Sequence, residues 1–587
     1  MSITAKRPAE SASSTDWKAQ VDAQVAVLQE HKDAWAALPV ERRIAYLDEV
    51  RGRVHDSALR WVEAACEAKG LSLDASAAGE EWSSGPWALI YGLNRYLETL
   101  RQVEKDGSPS IGSKKVRTRP NGQVIAKVFP ETMIDNLLLN GVRGEVWMEP
   151  GVTAADLEST MGAAYRRKPD HGVVSLVLGA GNISSIAPMD VLHKLVVEHS
   201  VVLLKMNPVN DYLGPIFEDV FQPLVRDGFL AMTYGGPDVG EYITGHQGIE
   251  EIHMTGSDRT HDAIVWGTGP DAAARKQKGT PLNPRRMTSE LGNVSPLIVV
   301  PGPWDDADIK FQAEHIATTK LHNAGFNCIG TQVLVMPETW DRSEALLAAV
   351  REVMGQTPAR KAYYPGAAQR QKAIVESHSA AEVVDDRAQN EVPRTLVAGL
   401  DSKDASESLF RQECFVSVLT STTIPGTDAG EFLRNAVKFC NENLWGTLGA
   451  TIVIHPKTMK ELGPAFEDAI AELHYGTIGI NIWSGVGFLL AQLPWGAYPG
   501  HTLDDVQSGI GWVHNTKMFD RPQKSVLYGP FFPYPRSMVK GTGTMLPKPP
   551  WFVLNKRGHL VNRRFTDYEF DHNPARIPGI FADALRG

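Results

Sequence analysis

From His171 onward, short β-branched apolar runs alternate with helical patterns, and this texture restricts the fold more than any other feature of the chain. GVVSLVLGAGN is followed by a helical MDVLHKLVVEH, then SVVLLKMNP, a helical GPIFEDVFQPLVRDG and FLAMTYGG. Apolar runs without in/out alternation belong to strands covered on both faces, and strands interleaved with helices form βαβ units around a parallel sheet. A dinucleotide-binding type of architecture is therefore expected over residues 169–289.

A second α/β segment follows over 290–500, with strands at SPLIVVPG, TQVLVMPE and GATIVIHP and helices at AEHIATTKLHNAG and WDRSEALLAAVREVMG. The fold class expected is α/β, with two doubly wound domains and a small β element for oligomerisation. Ahead of them, residues 16–141 begin with apolar positions at three- and four-residue spacing, a helical lead-in that also supplies part of the first domain. VRGEVWMEPG alternates like a strand, which places a projecting oligomerisation hairpin at 142–168. Residues 1–15 are polar and expected to be disordered, and 501–532 to be a return segment serving the oligomer. The stretch 533–587 is rich in Pro, aromatic and basic residues. It reads as an extended arm packed on its parent or a sister subunit, in preference to a partner-binding tail.

At 587 residues, with 43% hydrophobic, the chain is long enough for several packed layers. Its formal charge of −10 comes from interspersed acids and bases, which leaves no nucleic-acid or anionic-membrane footprint. Only four cysteines occur, Cys66, Cys328, Cys414 and Cys440, without CxxC pairs or zinc spacing, so no metal is expected and a reducing compartment suits them. No apolar run reaches the roughly 18–20 residues of a membrane span. A soluble, cytoplasmic protein is the expectation.

Four short segments carry chemistry. In HNAGFNCIG, Cys328 sits among small, turning residues after a helix, where backbone N–H groups can point at a thiolate and later at an oxyanion. Alone this is weak, since most lone cysteines are inert and buried. Glu290 in SELGNVSP stands before a buried strand, where desolvation raises a carboxyl toward the range of a general base, although a surface-loop glutamate fits the local sequence as well. GAGNISS lacks the complete GxGxxG fingerprint, but the Asn182 amide is a donor that needs no titration, unless it merely caps a helix. In HMTGSDRTHD, Gly256 and Ser257 open a helix as a seat for pyrophosphate, or simply as a cap.

In this order the four segments resemble the aldehyde dehydrogenase superfamily, and the resemblance runs from AWAALPVERRIAYLDEV to PWGAYPG and SGIGW. It implies Cys328 as nucleophile, Glu290 as general base and Asn182 as oxyanion amide. Lys205 in VVLLKMNP would bind the adenosine ribose, Gly256 and Ser257 the pyrophosphate, and Glu413 with Phe415 in RQECFVSV the nicotinamide ribose. The implied reaction is oxidation of an aldehyde to a carboxylic acid, with NAD or NADP as cofactor, in a homodimer or homotetramer. A CoA-acylating dehydrogenase or acyl reductase is the enzymatic alternative, disfavoured because Glu290 is kept, and a catalytically silent scaffold is the non-enzymatic one. Departures surround the site. Phe326 stands where a glutamine is usual, Pro208 where a ribose-binding glutamate is frequent, and His261 where a glycine is usual. Trp483, Phe488 and Trp495 are candidates to line a substrate tunnel.

Overall fold

The computed structural model describes residues 16–385 and 392–587, so the expectation for residues 1–15 falls outside the described residues. The lead-in forms three long helices, Asp16–Ala36, Val40–Lys69 and Ala88–Asp106. In the second, Leu47, Val50, Val54, Trp61 and Val62 recur at helical spacing and are fully buried. Gly70 ends that helix at φ +67°, a conformation glycine adopts without a Cβ clash.

One sheet runs in the order Gly509–Ile510, Arg286–Leu291, Glu251–Gly256, Val174–Leu178, Val201–Lys205, Leu230–Thr233. All pairs are parallel except the first. The chain order reverses between Val174–Leu178 and Glu251–Gly256, and the crevice at the carboxyl ends of such strands is where open α/β sheets bind ligands. Asn182 follows the first of these strands, Gly256 ends the second, and Lys205 ends the neighbouring Val201–Lys205.

The larger sheet is parallel from Pro522–Tyr528 through Thr477–Ile480, Gly449–Val453, Ser295–Val299, Thr331–Pro337 and Val418–Ile424 to Arg394–Leu400. It is extended antiparallel at both ends. The α/β class with parallel sheets is thus as expected. Lys524 lies fully buried in this sheet, and its ammonium donates to the carbonyls of Ile470, Ala471 and Leu473 at 3.0, 2.8 and 2.7 Å. Those carbonyls close the Pro464–Glu472 helix, so a side chain does what a C-terminal glycine does elsewhere.

Two segments differ from the sequence reading. Within 142–168 only Arg143–Met148 is a strand. Its partners are Val124–Phe129, which precedes it, and Pro522–Tyr528. Pro150 has no N–H to continue the ladder and Gly151 turns the chain at φ +87°, so the hairpin lies earlier than expected and joins the chain's own large sheet. The extension is an arm only as far as residue 557. Beyond it come two helices, Gly558–Asp571 and Ile577–Ala584. Val561, Phe565 and Tyr568 form a helical stripe that packs on Ile580 and Ala584, which the local Pro and aromatic composition concealed.

Candidate active site

The Asp306–Leu321 helix delivers the chain to a tight turn. Asn323, Ala324 and Gly325 follow one another at φ 52°, 56° and 83°. Consecutive left-handed residues are costly unless their surroundings hold them, and only glycine adopts the conformation freely. The turn presents Cys328 just before the Thr331–Pro337 strand.

Glu290 lies within the Arg286–Leu291 strand and is 1% exposed, so it is no surface-loop residue. The Cys328 thiol donates to Glu290 Oε1 at 3.2 Å, while Oε2 has no partner at hydrogen-bond geometry among the described residues, with the Trp495 indole as its polar neighbour. Burial pushes the Glu290 carboxyl up to about 8, with the nearby Asp190 charge adding to it. Burial likewise raises the Cys328 thiol well above its ordinary range, reinforced by Glu290 and Glu413. The surroundings explain this: Cys328 packs against a cluster of Ile329, Leu448, Trp483, Trp495 and Val513. Trp483 and Trp495, singled out from the sequence, belong to that cluster, and Phe488 packs against it as Cys328 does. Trp483 is fixed by its indole N–H, which donates to the Ile329 carbonyl at 3.2 Å. Phe326 is not on this wall. It is buried behind the turn against Tyr363, Tyr364 and Phe415, at ring separations of 4.9, 5.8 and 5.9 Å.

Asn182 donates through Nδ2 to the Phe326 carbonyl at 3.0 Å. Holding one hydrogen of an amide orients the other. The Asn182 carbonyl in turn accepts from Lys69, Asn323 and Tyr363 at 3.2, 3.1 and 3.1 Å. Lys69 and Tyr363 also donate to Asn323 Oδ1, both at 3.0 Å, and Lys69 pairs with Glu81 at 2.8 Å. The Asn323 N–H donates to Glu80 Oε2 at 3.0 Å, and both terminal nitrogens of Arg360 reach the same oxygen at 3.1 Å. Burial opposes ionisation of Glu80, yet Arg360, His322 and these hydrogen bonds together hold its carboxyl below the usual range. Buried ions are tolerable when paired and fully hydrogen-bonded, and this cluster satisfies both conditions. Sequence reasoning missed every member except Asn182. The only local signal was a lysine, Lys69, in the last turn of a helix with an apolar stripe.

The dinucleotide residues proposed from sequence lie at strand ends. Lys205 is 9% exposed, and burial pulls its pKa down against the opposing charges of Asp238 and Asp211. Gly256 leads into Ser257, whose hydroxyl caps the Asp258–Trp266 helix by accepting from the Thr260 N–H at 3.2 Å. The capping reading holds, and a capped N-terminus still presents free N–H groups and a positive dipole end. His261, one turn in, is completely buried, with Nδ1 3.6 Å from Asp262 Oδ1 and Nε2 without a hydrogen-bond partner among the described residues, and burial lowers its pKa against the raising effect of Asp262.

Glu413 lies against Gly292, where a Cβ would stand 2.0 Å from Oε2, so that glycine makes room for the carboxylate. Burial raises Glu413 to about 8, with Lys320 opposing and Asp258 adding. Phe415 follows at φ 42°. The carboxylate therefore feels the helix that Ser257 caps, across the gap between the two sheets. A cradle of this kind, with a helix N-terminus, a lysine and a glycine-seated carboxylate, fits a dinucleotide.

Comparison with known proteins places these features in context. The aldehyde dehydrogenase family profile matches residues 154–485. An N-succinylglutamate 5-semialdehyde dehydrogenase of Sphingopyxis alaskensis is 29% identical over 200 residues, which cover 34% of this chain and 38% of that protein. N-succinylglutamate 5-semialdehyde dehydrogenase 1 of Caulobacter vibrioides is 24% identical over 402 residues, covering 65% and 77%. The chain thus spans less than half the length of the first of these relatives and about three quarters of the second. Among solved structures, an NADP-dependent glyceraldehyde-3-phosphate dehydrogenase of Bacillus halodurans, complexed with NADP, superposes with a TM-score of 0.57 at 16% identity, covering 87% of this chain and 91% of that one. A gamma-glutamyl-gamma-aminobutyraldehyde dehydrogenase of Burkholderia cenocepacia gives 0.58 at 18%, covering 87% and 88%. At such identities the structures establish the fold alone.

Proposed function

The chain belongs to the aldehyde dehydrogenase family, and on that footing we propose that it oxidises an aldehyde to the carboxylic acid through a covalent thioester on Cys328, with NAD or NADP as hydride acceptor. The observation that carries this reading is the 3.2 Å contact between the Cys328 thiol and the Glu290 carboxylate inside an apolar enclosure. A thiol whose pKa is raised by burial is a poor nucleophile until a base takes its proton, and the contact with Glu290 supports reading that carboxylate as the base.

In this reading the Sγ–H proton passes to Glu290 Oε1 as sulfur bonds to the aldehyde carbon. The free hydrogen of the Asn182 amide then faces the oxyanion, oriented by the bond to the Phe326 carbonyl. The dinucleotide, when bound, supplies the hydride acceptor. Lys205, Gly256, Ser257, Glu413 and Phe415 would hold it. Glu290 passes the thiol proton on to solvent; once the thioester exists it takes a second proton from water, whose oxygen attacks the acyl carbon and expels the Cys328 thiolate, which the Glu290 proton then restores to the thiol. Water needs such a base and the thiol of CoA does not, so the buried Glu290 favours hydrolysis over acyl transfer to CoA.

An aldehyde panel with NAD and NADP in parallel, followed by absorbance of the reduced cofactor, tests the reaction. Cys328→Ser should abolish turnover. Normal turnover in that variant, or product formation only when CoA is supplied, would set this reading aside.

A further inference from the structure

The strands Glu251–Gly256 and Arg286–Leu291 run parallel, with Glu251 opposite Arg286, His253 opposite Thr288 and Thr255 opposite Glu290. Opposed residues of such a pair share a face, and so do residues two apart along a strand. These six side chains therefore form one polar row that starts at Glu290. Arg286, whose side chain is 56% exposed, ends it at the surface, and the other five residues are buried. A strand covered on both faces ordinarily carries apolar residues there, because a buried polar group costs free energy unless it is paired.

Asp190, on the short helix Ile186–Leu192, lies over the inner end of the row and is fully buried. Thr255 donates to its Oδ2 at 3.1 Å, and His253 Nε2 stands 3.5 Å from the same oxygen. The other His253 nitrogen meets the Thr288 hydroxyl at 2.9 Å. Asp190 Oδ1 has no hydrogen-bond partner among the described residues. Glu251 continues the row and accepts from Lys194 at 3.3 Å and from Arg286 at 2.5 Å. Besides Glu290 and His253, the titratable groups facing Asp190 are His514 and Tyr96, while His193, on the turn after Asp190, is set toward Glu198 at 3.5 Å. Burial lowers His514 to about 4 and raises Tyr96 well above its ordinary range, so neither exchanges a proton near neutrality.

We propose that Asp190 and His253 carry the thiol proton away from Glu290 along this row, so that the same carboxylate is free to activate water. The inference rests on the function proposed above, in which Glu290 takes one proton from Cys328 and later a second from water. Glu290 gives the first to Asp190 and is a carboxylate again. Asp190 gives it to His253 Nε2, and the imidazolium gives its Nδ1 proton to the Thr288 hydroxyl, which releases its own hydrogen toward solvent at the Arg286 end. One proton leaves per aldehyde oxidised and no further reactant is consumed. Both residues act through Glu290 and touch no substrate.

The test compares the wild-type chain with Asp190→Asn and His253→Gln, which keep hydrogen-bonding atoms but cannot carry a proton. The first reduction of cofactor needs Glu290 alone, so each variant should give a burst of one reduced cofactor per site at close to the wild-type rate. Later turnovers wait for the proton to leave, so kcat and the KM for aldehyde should fall together by about tenfold or more, with kcat/KM unchanged. Imidazole, which can take the proton from Glu290 directly, should restore kcat in the variants in proportion to its concentration and leave wild type unmoved. Thr288→Val, the next link, is read the same way should either variant fail to fold. Burst and steady rate falling together without response to imidazole, or kcat at the wild-type level, overturns the inference and leaves the proposed function standing. A wild-type chain that oxidises no aldehyde overturns the proposed function and this inference with it.

Discussion

The backbone N–H of Asn323 donates to the Glu80 carboxylate across 3.0 Å, and this bond ties the helical lead-in to the turn that carries Cys328. Asn323 and Ala324 both hold left-handed backbone, a strain on the order of 1–3 kcal/mol per residue that persists only where the surroundings impose it. Glu80, Lys69 and Tyr363 are those surroundings. Tyr363→Phe removes donors to the Asn182 carbonyl and Asn323 Oδ1, yet each acceptor keeps Lys69. The loss of stability should be about 1 kcal/mol. A nucleophile and an oxyanion donor that drift by fractions of an ångström should cost more in rate, about tenfold in kcat. Thermal melts and steady-state kinetics on the same preparation separate the two effects, and equal small losses in both would show the network to be merely structural.

Activity should rise with pH through about 8. Glu290 must be ionised to accept a proton, and burial, with Asp190 beside it, holds the carboxyl at about 8. Asp190→Asn removes one negative neighbour and should move the limb of the kcat profile to lower pH. Glu290→Gln should erase the limb and slow both the first reduction of cofactor and the steady turnover. Stability runs the opposite way. The folded state holds this proton more tightly than the unfolded chain, so the Glu290 contribution is complete below about 4.5 and is lost as pH rises through about 8. Denaturation of wild type and Glu290→Gln across that window should show a shallower slope in the variant, where Glu413, also raised to about 8, still contributes.

The parts legible in the sequence and the parts that were not differ for a physical reason. Strands such as Val201–Lys205 and Thr331–Pro337 are buried on both faces, and an unbroken apolar run between turn residues is a local signal. The turn before Cys328 is local too, since HNAG supplies small or amide side chains where left-handed backbone is needed. The ionic brace has no local signature. Lys69, Glu80 and Glu81, and Arg360 and Tyr363, come from segments nearly 300 residues apart, and each reads singly as an ordinary surface residue. Local sequence left Glu290 between a desolvated carboxyl and a surface-loop residue, because its neighbours include Trp495 from a segment about two hundred residues away. In the extension, Arg563 and Arg564 interrupt the Val561, Phe565 and Tyr568 stripe, and the aromatic residues before it drew attention away from its helical period.

NAD should be the better cofactor. Pro208 leaves the usual ribose-binding carboxylate missing, but Asp211 and Asp238 supply negative charge felt by Lys205 in its place. A carboxylate accepts from ribose hydroxyls and repels a 2′-phosphate. The ratio of kcat/KM for NAD over NADP should exceed about tenfold, or 1.4 kcal/mol of discrimination. Asp238→Ser should narrow it mainly by improving the KM for NADP. A ratio unmoved by this substitution would mean that the charge acts elsewhere.

Gly79 and Gly558 bring the extension into backbone contact with the brace. A Cβ on Gly79 would stand 2.5 Å from the Gly558 carbonyl carbon and 2.8 Å from the His559 nitrogen, neither of which can rotate away. The same helical turn is also held by Asn562, one turn on from Gly558 in its helix, whose amide donates to the Gly79 carbonyl at 3.1 Å. Gly79→Ala should therefore separate the two helices at a cost of about 1–3 kcal/mol despite the better helix propensity of alanine. Asn562→Ala should cost about 1 kcal/mol or less, because the Gly79 carbonyl still accepts from the Ser83 hydroxyl at 3.0 Å. Both changes break one contact, so the double variant should lose less than the sum of the single losses, a non-additivity readable from denaturation midpoints. Glu80 and Glu81 follow Gly79 directly, so displacing this turn should also loosen Asn323 and lower kcat. A destabilised Gly79→Ala protein that retains full kcat would separate the extension from the catalytic turn.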